Sequence, residues 1–266
     1  MATRARIRVG TSGYVYPHWK GRFYPDGLPA RQWLPYYAQA FDTVELNNTF
    51  YRLPSEKAAR GWAAAAPEGF LFAVKGSRFL THIKRLKDTE QGLQRFFESL
   101  APLAGRIGPV LWQLPPQMKA DLARLRDFLQ ALPRFGRFEH VVEPRSAGWY
   151  TDAFYRLLAD EGASLCLHDL PMKDAPAPPT PPPGRIYYRR FHGLAARYSG
   201  RYGRAALSPV ADQMLSLARS GVPCFAYFNN DASAHAVADA RDLLWLLSER
   251  AARRATTPGS HPAPAV

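Results

Sequence analysis

Thr43-Val44-Glu45-Leu46-Asn47-Asn48-Thr49-Phe50-Tyr51-Arg52 begins as a strand and ends as a cluster of hydrogen-bonding groups. Successive strand side chains point to opposite faces, so Thr43, Glu45 and Asn47 share one face and Val44 and Leu46 the other. A carboxylate that turns inward from a strand costs free energy unless it finds partners. Asn47, Asn48, Thr49, Tyr51 and Arg52 follow at once as a source of them. Taken alone, the stretch reads equally as a satisfied structural Glu and as the edge of a functional site. What separates the two is whether the same design recurs along the chain.

It recurs. Moving outward, short apolar runs fall at 7–10, 70–75, 109–114, 140–143, 163–167, 185–190 and 223–228, which makes eight strands with the one opening at Thr43. Residues at helical spacing lie between most of them. They run through 31–41, 55–62 (with Ser55 as cap), 93–103, 122–132, 154–158, 210–218 and 236–247. The exception follows the sixth strand, where Ala175-Pro176-Ala177-Pro178-Pro179-Thr180-Pro181-Pro182-Pro183-Gly184 excludes a helix, because proline lacks the N–H and restrains the residue before it. This run is expected to cross the barrel exterior in a polyproline-like form. Strands separated by helices pair in parallel. The expected fold is therefore α/β, a TIM (β/α)8-type barrel with the helix after strand 6 replaced by a proline-rich loop. One domain is expected over 1–254, with a disordered tail over 255–266 rich in small residues and proline.

The polar residues decide for a barrel over an open sheet. Thr11, Glu45 with Asn47, Lys75, Gln113, Glu143 with Arg145, His168 with Asp169, Arg190 with His192, and Asn229 with Asp231 all sit at or just past the C-terminal ends of strands. A barrel gathers those ends into one mouth, where barrel active sites lie. Loop chemistry accounts for Asn and Asp at turns. It accounts less well for Glu, Lys, Gln, Glu and Arg ending five strands in inward parity.

Composition sets the outer limits. The chain has 266 residues, 47% hydrophobic and 13% aromatic, enough for a large core. Its only cysteines, Cys166 and Cys224, lie in apolar runs and read as reduced core residues. No apolar run reaches membrane-spanning length and no signal-peptide pattern opens the chain, so the expectation is a cytoplasmic protein with no membrane partner. The net charge of +13 favours polyanions, although arginine far outnumbers lysine and alanine is abundant, as a GC-rich genome would produce unaided.

With these residues in view, the chain resembles the YecE-like family, also called domain of unknown function 72. The matching pieces are Gly10-Thr11-Ser12-Gly13-Tyr14, Phe23-Tyr24-Pro25, the stretch from Thr43 to Arg52, Lys75, Thr81-His82, Gln113-Leu114-Pro115-Pro116, Glu143 with Arg145, Tyr188-Arg189-Arg190-Phe191-His192-Gly193, and Asn229-Asn230-Asp231. They cover about 7–245. The chain departs from the usual pattern at Asn48, at Pro144 and in having no His after Arg145. The resemblance implies a TIM barrel and no particular activity.

The chemistry of the mouth then supplies the functional expectation. Glu45, Glu143 and His192 form the expected catalytic set, for acid/base work. Lys75, Arg145 and Arg190 are expected to hold an anion, and Thr11, Tyr14, Asn47, Gln113, Asn229 and Asp231 to orient the substrate. The three cations come from odd strands and are expected at one height, with Glu45 a layer away. The loop 193–204, rich in Gly, Arg and Tyr, is either a cover over a bound anion or a solvated surface loop. Glu45→Gln is expected to cost little stability and to lose ligand binding or turnover. The leading expectation is an enzyme acting on a phosphorylated or otherwise anionic small molecule or nucleotide-like substrate. The alternatives are a metal-dependent phosphodiesterase on nucleic acid and a non-catalytic nucleic-acid-binding barrel. No metal-ligand spacing such as HExxH or CxxC is present; a divalent ion is left open but not favoured, no metal ligand is assigned, and no other cofactor is indicated.

Overall fold

Eight parallel strands alternate with helices in the order expected of a barrel. The structure, a computed structural model, describes residues 7–195 and 198–255. Along the chain run β1 (Ile7–Thr11), α1 (Trp33–Tyr37), β2 (Thr43–Leu46), α2 (Asn48–Tyr51), α3 (Glu56–Ala65), β3 (Leu71–Lys75), α4 (Glu90–Leu100), β4 (Ile107–Gln113) and α5 (Leu122–Ala131). They are followed by β5 (His140–Glu143), α6 (Asp152–Asp160), β6 (Ser164–His168), β7 (Tyr187–Phe191), α7 (Gly203–Arg219), β8 (Cys224–Phe228) and α8 (His235–Ala255). Ser55, Asp121 and Thr151 start α3, α5 and α6 by accepting the N–H three residues on, which satisfies one otherwise orphaned donor per helix.

The sheet runs β1-β8-β7-β6-β5-β4-β3-β2, every neighbour parallel. β1 and β2 close the ring: Ser12 bridges to Glu45, and Gly13 N–H donates to Glu45 O at 2.8 Å. Glycine is required at this seam. A Cβ on Gly10 would lie 2.3 Å from Thr43 O, a backbone atom that cannot swing aside. Alternation sorts the core into two shells. Val9, Val44, Leu46, Val74, Val110, Trp112 and Phe228 pack outward under the helices, while Ala73, Leu111, Val141, Cys166, Ile186, Tyr188, Phe225 and Tyr227 fill the barrel.

The proline-rich segment does take the place of a helix between β6 and β7. It covers a cleft of about 470 Å³ lined by several of its own prolines with Arg189, Gln213 and His168. Most boundaries shift by one to three residues, and three helices depart further from expectation. The helix expected over 31–41 contracts to α1, five residues preceded by a tight turn at Ala30–Gln32. α7 starts seven residues before 210, because Pro209 is accommodated inside it and only looks like a start in the sequence. α8 runs on through Ala255, so Ala255 belongs to a helix; the rest of the expected tail, 256–266, lies outside the described residues. No helix among the described residues is long and apolar enough to cross a membrane.

Candidate functional site

Two glutamates at the inward ends of β2 and β5 share one arginine. Glu45 ends the inward face of β2 and Glu143 that of β5; both are fully buried. Arg190, from β7 and 1% exposed, reaches across to both. Its Nη2 donates to Glu45 Oε1 at 2.8 Å and its Nε to both Glu45 oxygens, while its Nη1 donates to Glu143 at 3.1 and 3.2 Å. The guanidinium fork suits this, since it offers five donors in a plane and never loses its charge.

Each carboxylate has further partners. Glu45 accepts from Ser12 Oγ at 2.7 Å and from Tyr188 Oη at 2.6 Å. Glu143 accepts from Gln113 Nε2 at 2.7 Å and pairs with Arg145 Nη2 at 2.6 Å. Burial by itself would raise the pKa of both acids. The charge of Arg190 and the Tyr188 and Ser12 hydrogen bonds outweigh it and lower that of Glu45; Arg145 and then Arg190 take Glu143 well below the carboxylate range. Both acids are therefore ionised at neutral pH. Arg190 Nη2 lies 2.8 Å from Glu45 Oε1, because a side chain as long as arginine reaches across adjacent layers and a layer offset does not keep the two apart.

His192 stands beside this pair. Asn229 Nδ2 approaches its Nδ1 at 3.2 Å, and an amide N–H can only donate, so Nδ1 accepts and the ring proton sits on Nε2. That atom lies 3.7 Å from Glu143 Oε1, past hydrogen-bond reach. Burial lowers the His192 pKa to about 4, so the ring is neutral. Asp169 fixes its backbone, accepting from His192 N at 2.8 Å and from Tyr202 Oη.

Lys75 differs from the two arginines. It ends β3, is 8% exposed, and its Nζ sits 4.2 Å over the Phe50 ring. Among the described residues no carboxylate lies within ion-pair distance of it. Burial, followed by the positive charge of Arg190, lowers its pKa to about 8. Arg145 keeps one loose end as well: its Nε–H is buried and has no partner, and so is Asn47 Oδ1. Unpaired buried donors and acceptors are unusual enough to need a reason.

Other expected residues lie elsewhere. Thr11 faces outward, its hydroxyl bonded to Gly13 O and to Tyr37 Oη. Tyr14 packs against Tyr37 in the outer shell and its carbonyl accepts from Tyr24 Oη. Asp231 sits on the rim, where its carbonyl accepts from His18 and Trp19. The arginines of the loop 193–204 are largely committed: Arg201 pairs with Asp239 and Asp242, and Arg204 with Asp242, while Arg197 lies outside the described residues. Conversely, Ser12 and Tyr188 bond to Glu45 and were not assigned a role from sequence, while His82, an imidazole expected at the mouth from sequence, packs on Phe50. The signal for the first two was available: Ser12 shares parity with Gly10, and Tyr188 with Arg190.

What the arrangement defines is a TIM-like α/β barrel with a buried, charge-dense mouth in which two ionised carboxylates face three cations. The chain belongs to the family described as "Protein of unknown function DUF72", whose model matches residues 8–264. By sequence it is similar to UPF0759 protein YecE of Escherichia coli K12, 34% identical over 140 residues, a match spanning 52% of this chain and only about half, 48%, of that protein. It is also similar to UPF0759 protein YunF of Bacillus subtilis 168, 23% identical over 84% of this chain and 89% of that one. A DUF72 family protein of Thermotoga maritima superposes with a TM-score of 0.80 at 28% identity, covering 91% of this chain and 99% of that chain. One from Enterococcus faecalis V583 superposes with a TM-score of 0.76 at 20% identity, over 91% and 96%, and shows the shared fold. Among the described residues, no group of three or more His, Cys, Asp or Glu side chains is arranged to hold a metal.

Proposed function

We propose that the mouth is an enzyme active site for an anionic small molecule, with Lys75 and Arg145 as its counter-charges. The observation that carries this is the state of Lys75: a buried cation with no carboxylate partner among the described residues, in a mouth where positive charge exceeds negative. Arg145 Nε, a buried donor without an acceptor, supports it, because an anion oxygen there would satisfy it. Arg190 has a different part. Three of its nitrogens are spent on Glu45 and Glu143, so it positions the carboxylates and leaves the anion to its neighbours. Glu45, enclosed by Ser12, Tyr188 and Arg190, in turn positions Arg190. Glu143 and the neutral His192 remain as the groups for proton transfer at the substrate.

A nucleotide-like substrate is favoured by the rim. Tyr51 is 72% and Ile83 63% exposed, Phe79 is also exposed, and exposed Arg52, Arg78 and Arg85 stand next or close to them in the chain. Apolar and aromatic faces beside cations accept a base next to a phosphate.

Calorimetric titration with inorganic phosphate tests the reading. Replacing Lys75 by Met keeps the packing on Phe50 and removes the charge. A charge-assisted hydrogen bond contributes about 1.5–3 kcal/mol, so Lys75→Met should weaken phosphate roughly tenfold or more. Affinity should also fall as pH rises through about 8, where Lys75 loses its proton. Equal affinity in wild type and Lys75→Met, or no binding to either, would rule the reading out.

A further inference from the structure

Lys75 has the surroundings of a nucleophile as well as those of a counter-ion. Its stem is buried at the end of β3, and its Nζ rests on the Phe50 ring, a surface that hydrates an ammonium poorly. The two glutamates nearby are paired with Arg190 and Arg145, and among the described residues no carboxylate lies within ion-pair distance of the amine, so burial outweighs their pull on its proton. The imidazole of His82 packs edge-on against the same Phe50 ring, 4.9 Å between centroids, with its Nδ1 held by Thr81 Oγ1 at 2.8 Å. Burial and the charges of Lys75, Arg78 and Arg145 lower the His82 pKa to about 4, so it is a neutral base at the lysine's side. Arg145 supplies an unpaired buried N–H for a carboxylate. A desolvated lysine beside another cation is a recognised route to an amine nucleophile at neutral pH.

We propose that Lys75 is a covalent site that condenses with the carbonyl group of a small 2-oxo acid, forming an imine, while Arg145 holds the acid's carboxylate. The proposal rests on the anion reading above and names the substrate class it takes. In the first step the Nζ lone pair forms the C–N bond and the carbonyl π electrons pass to oxygen. His82 relays the proton that leaves nitrogen to that oxygen, giving a carbinolamine. In the second step a further proton from solvent reaches the hydroxyl, the C–O bond breaks and water departs. The nitrogen lone pair closes the C=N bond of the protonated imine. Carbonyl compound, neutral amine and one proton thus become iminium and water, with no oxidant or reductant involved.

Incubating the full chain with pyruvate and cyanoborohydride tests this, because the added hydride converts the imine to a stable secondary amine. Intact-mass analysis should show one adduct with the mass of pyruvate less water plus two hydrogens, and peptide mapping should place it on Lys75 rather than on another lysine. Trapping should rise with pH through about 8, opposite in sign to phosphate binding, since the free amine attacks. Lys75→Met should lose the adduct; Arg145→Ala, which retains the lysine, should need much higher pyruvate for the same yield. Lactate, which carries the carboxylate without the carbonyl, should protect Lys75 from trapping. If lactate or phosphate binds in a Lys75-dependent way and no adduct forms, the imine is overturned and the anion site stands. If neither anion binds and no adduct forms, both fall. Adduct spread evenly over the lysines also overturns the imine.

Discussion

Glu45 shows how a residue's role depends on the partner it meets. Its own stretch offered Asn47, Asn48 and Thr49, yet its hydrogen bonds come from Ser12, Tyr188 and Arg190, which lie far away in the chain. Thr49 bonds instead to the backbone of Leu46 and Lys75. This changes what Glu45→Gln should do. A buried arginine would keep only Glu143 as an ionised partner, and breaking a buried pair by removing one charge costs about 3–5 kcal/mol. The substitution, expected from sequence to spare stability, should instead cost about 3 kcal/mol in urea unfolding, with Glu143 limiting the loss. A loss below about 1 kcal/mol would mean that Glu143 alone suffices to hold Arg190, and that Glu45 is free for another role.

At the level of elements, the seam between β1 and β2 governs the site. Ser12 reaches Glu45 only because β1 lies close against β2, and the missing side chain of Gly10 permits that approach. Gly10→Ala puts a methyl group 2.3 Å from Thr43 O. The strands must then part, which should cost about 2–3 kcal/mol, the upper range for overpacking. The effect should reach the mouth too: phosphate affinity should fall along with stability as Ser12 withdraws from Glu45. An alanine variant with unaltered melting temperature would show that the seam is looser than this geometry requires. The turn after β3 matters in a similar way. Phe79–Ile83 adopts a wide π turn, and Arg85 and Leu86 follow with left-handed backbone (φ 48° and 64°), which is costly for non-glycine residues and is a recurrent feature of functional sites.

The whole molecule should be sensitive to acid earlier than its carboxylates alone would make it. Burial, as the leading cause, holds His82, His140 and His192 at about 4, against an ordinary 6.5. Below 6.5 the unfolded chain takes up protons that the folded chain refuses, so stability falls as pH drops from there towards 4. Glu45 and Glu143 act in a lower window. Their folded values lie under the ordinary 4.5, so their contribution is complete above it and is lost as pH falls through the depressed values. Urea midpoints measured from neutral pH downward should therefore decline in two stages, the first beginning near 6.5. A midpoint that stays level until the carboxylate range would contradict the buried neutral state of the histidines.

Local pattern sufficed for the barrel: eight alternating strands, helices between them, and a proline run where a helix could not form. Those features depend on periodicity and on backbone chemistry, which neighbouring residues carry by themselves. The same parity placed Glu45, Lys75, Gln113, Glu143 and Arg190 on the inward face. Pairing was another matter. Arg190 bonds to residues 145 and 47 positions away, and whether a cation meets a carboxylate, a ring or no partner depends on how far each side chain reaches across a closed barrel. Lys75 and Arg190 look alike in sequence, each an inward cation at the end of an odd strand. Only the fold gives one of them two glutamates and leaves the other on the face of Phe50, because the reach of each side chain and the stagger of the strands decide which charges touch.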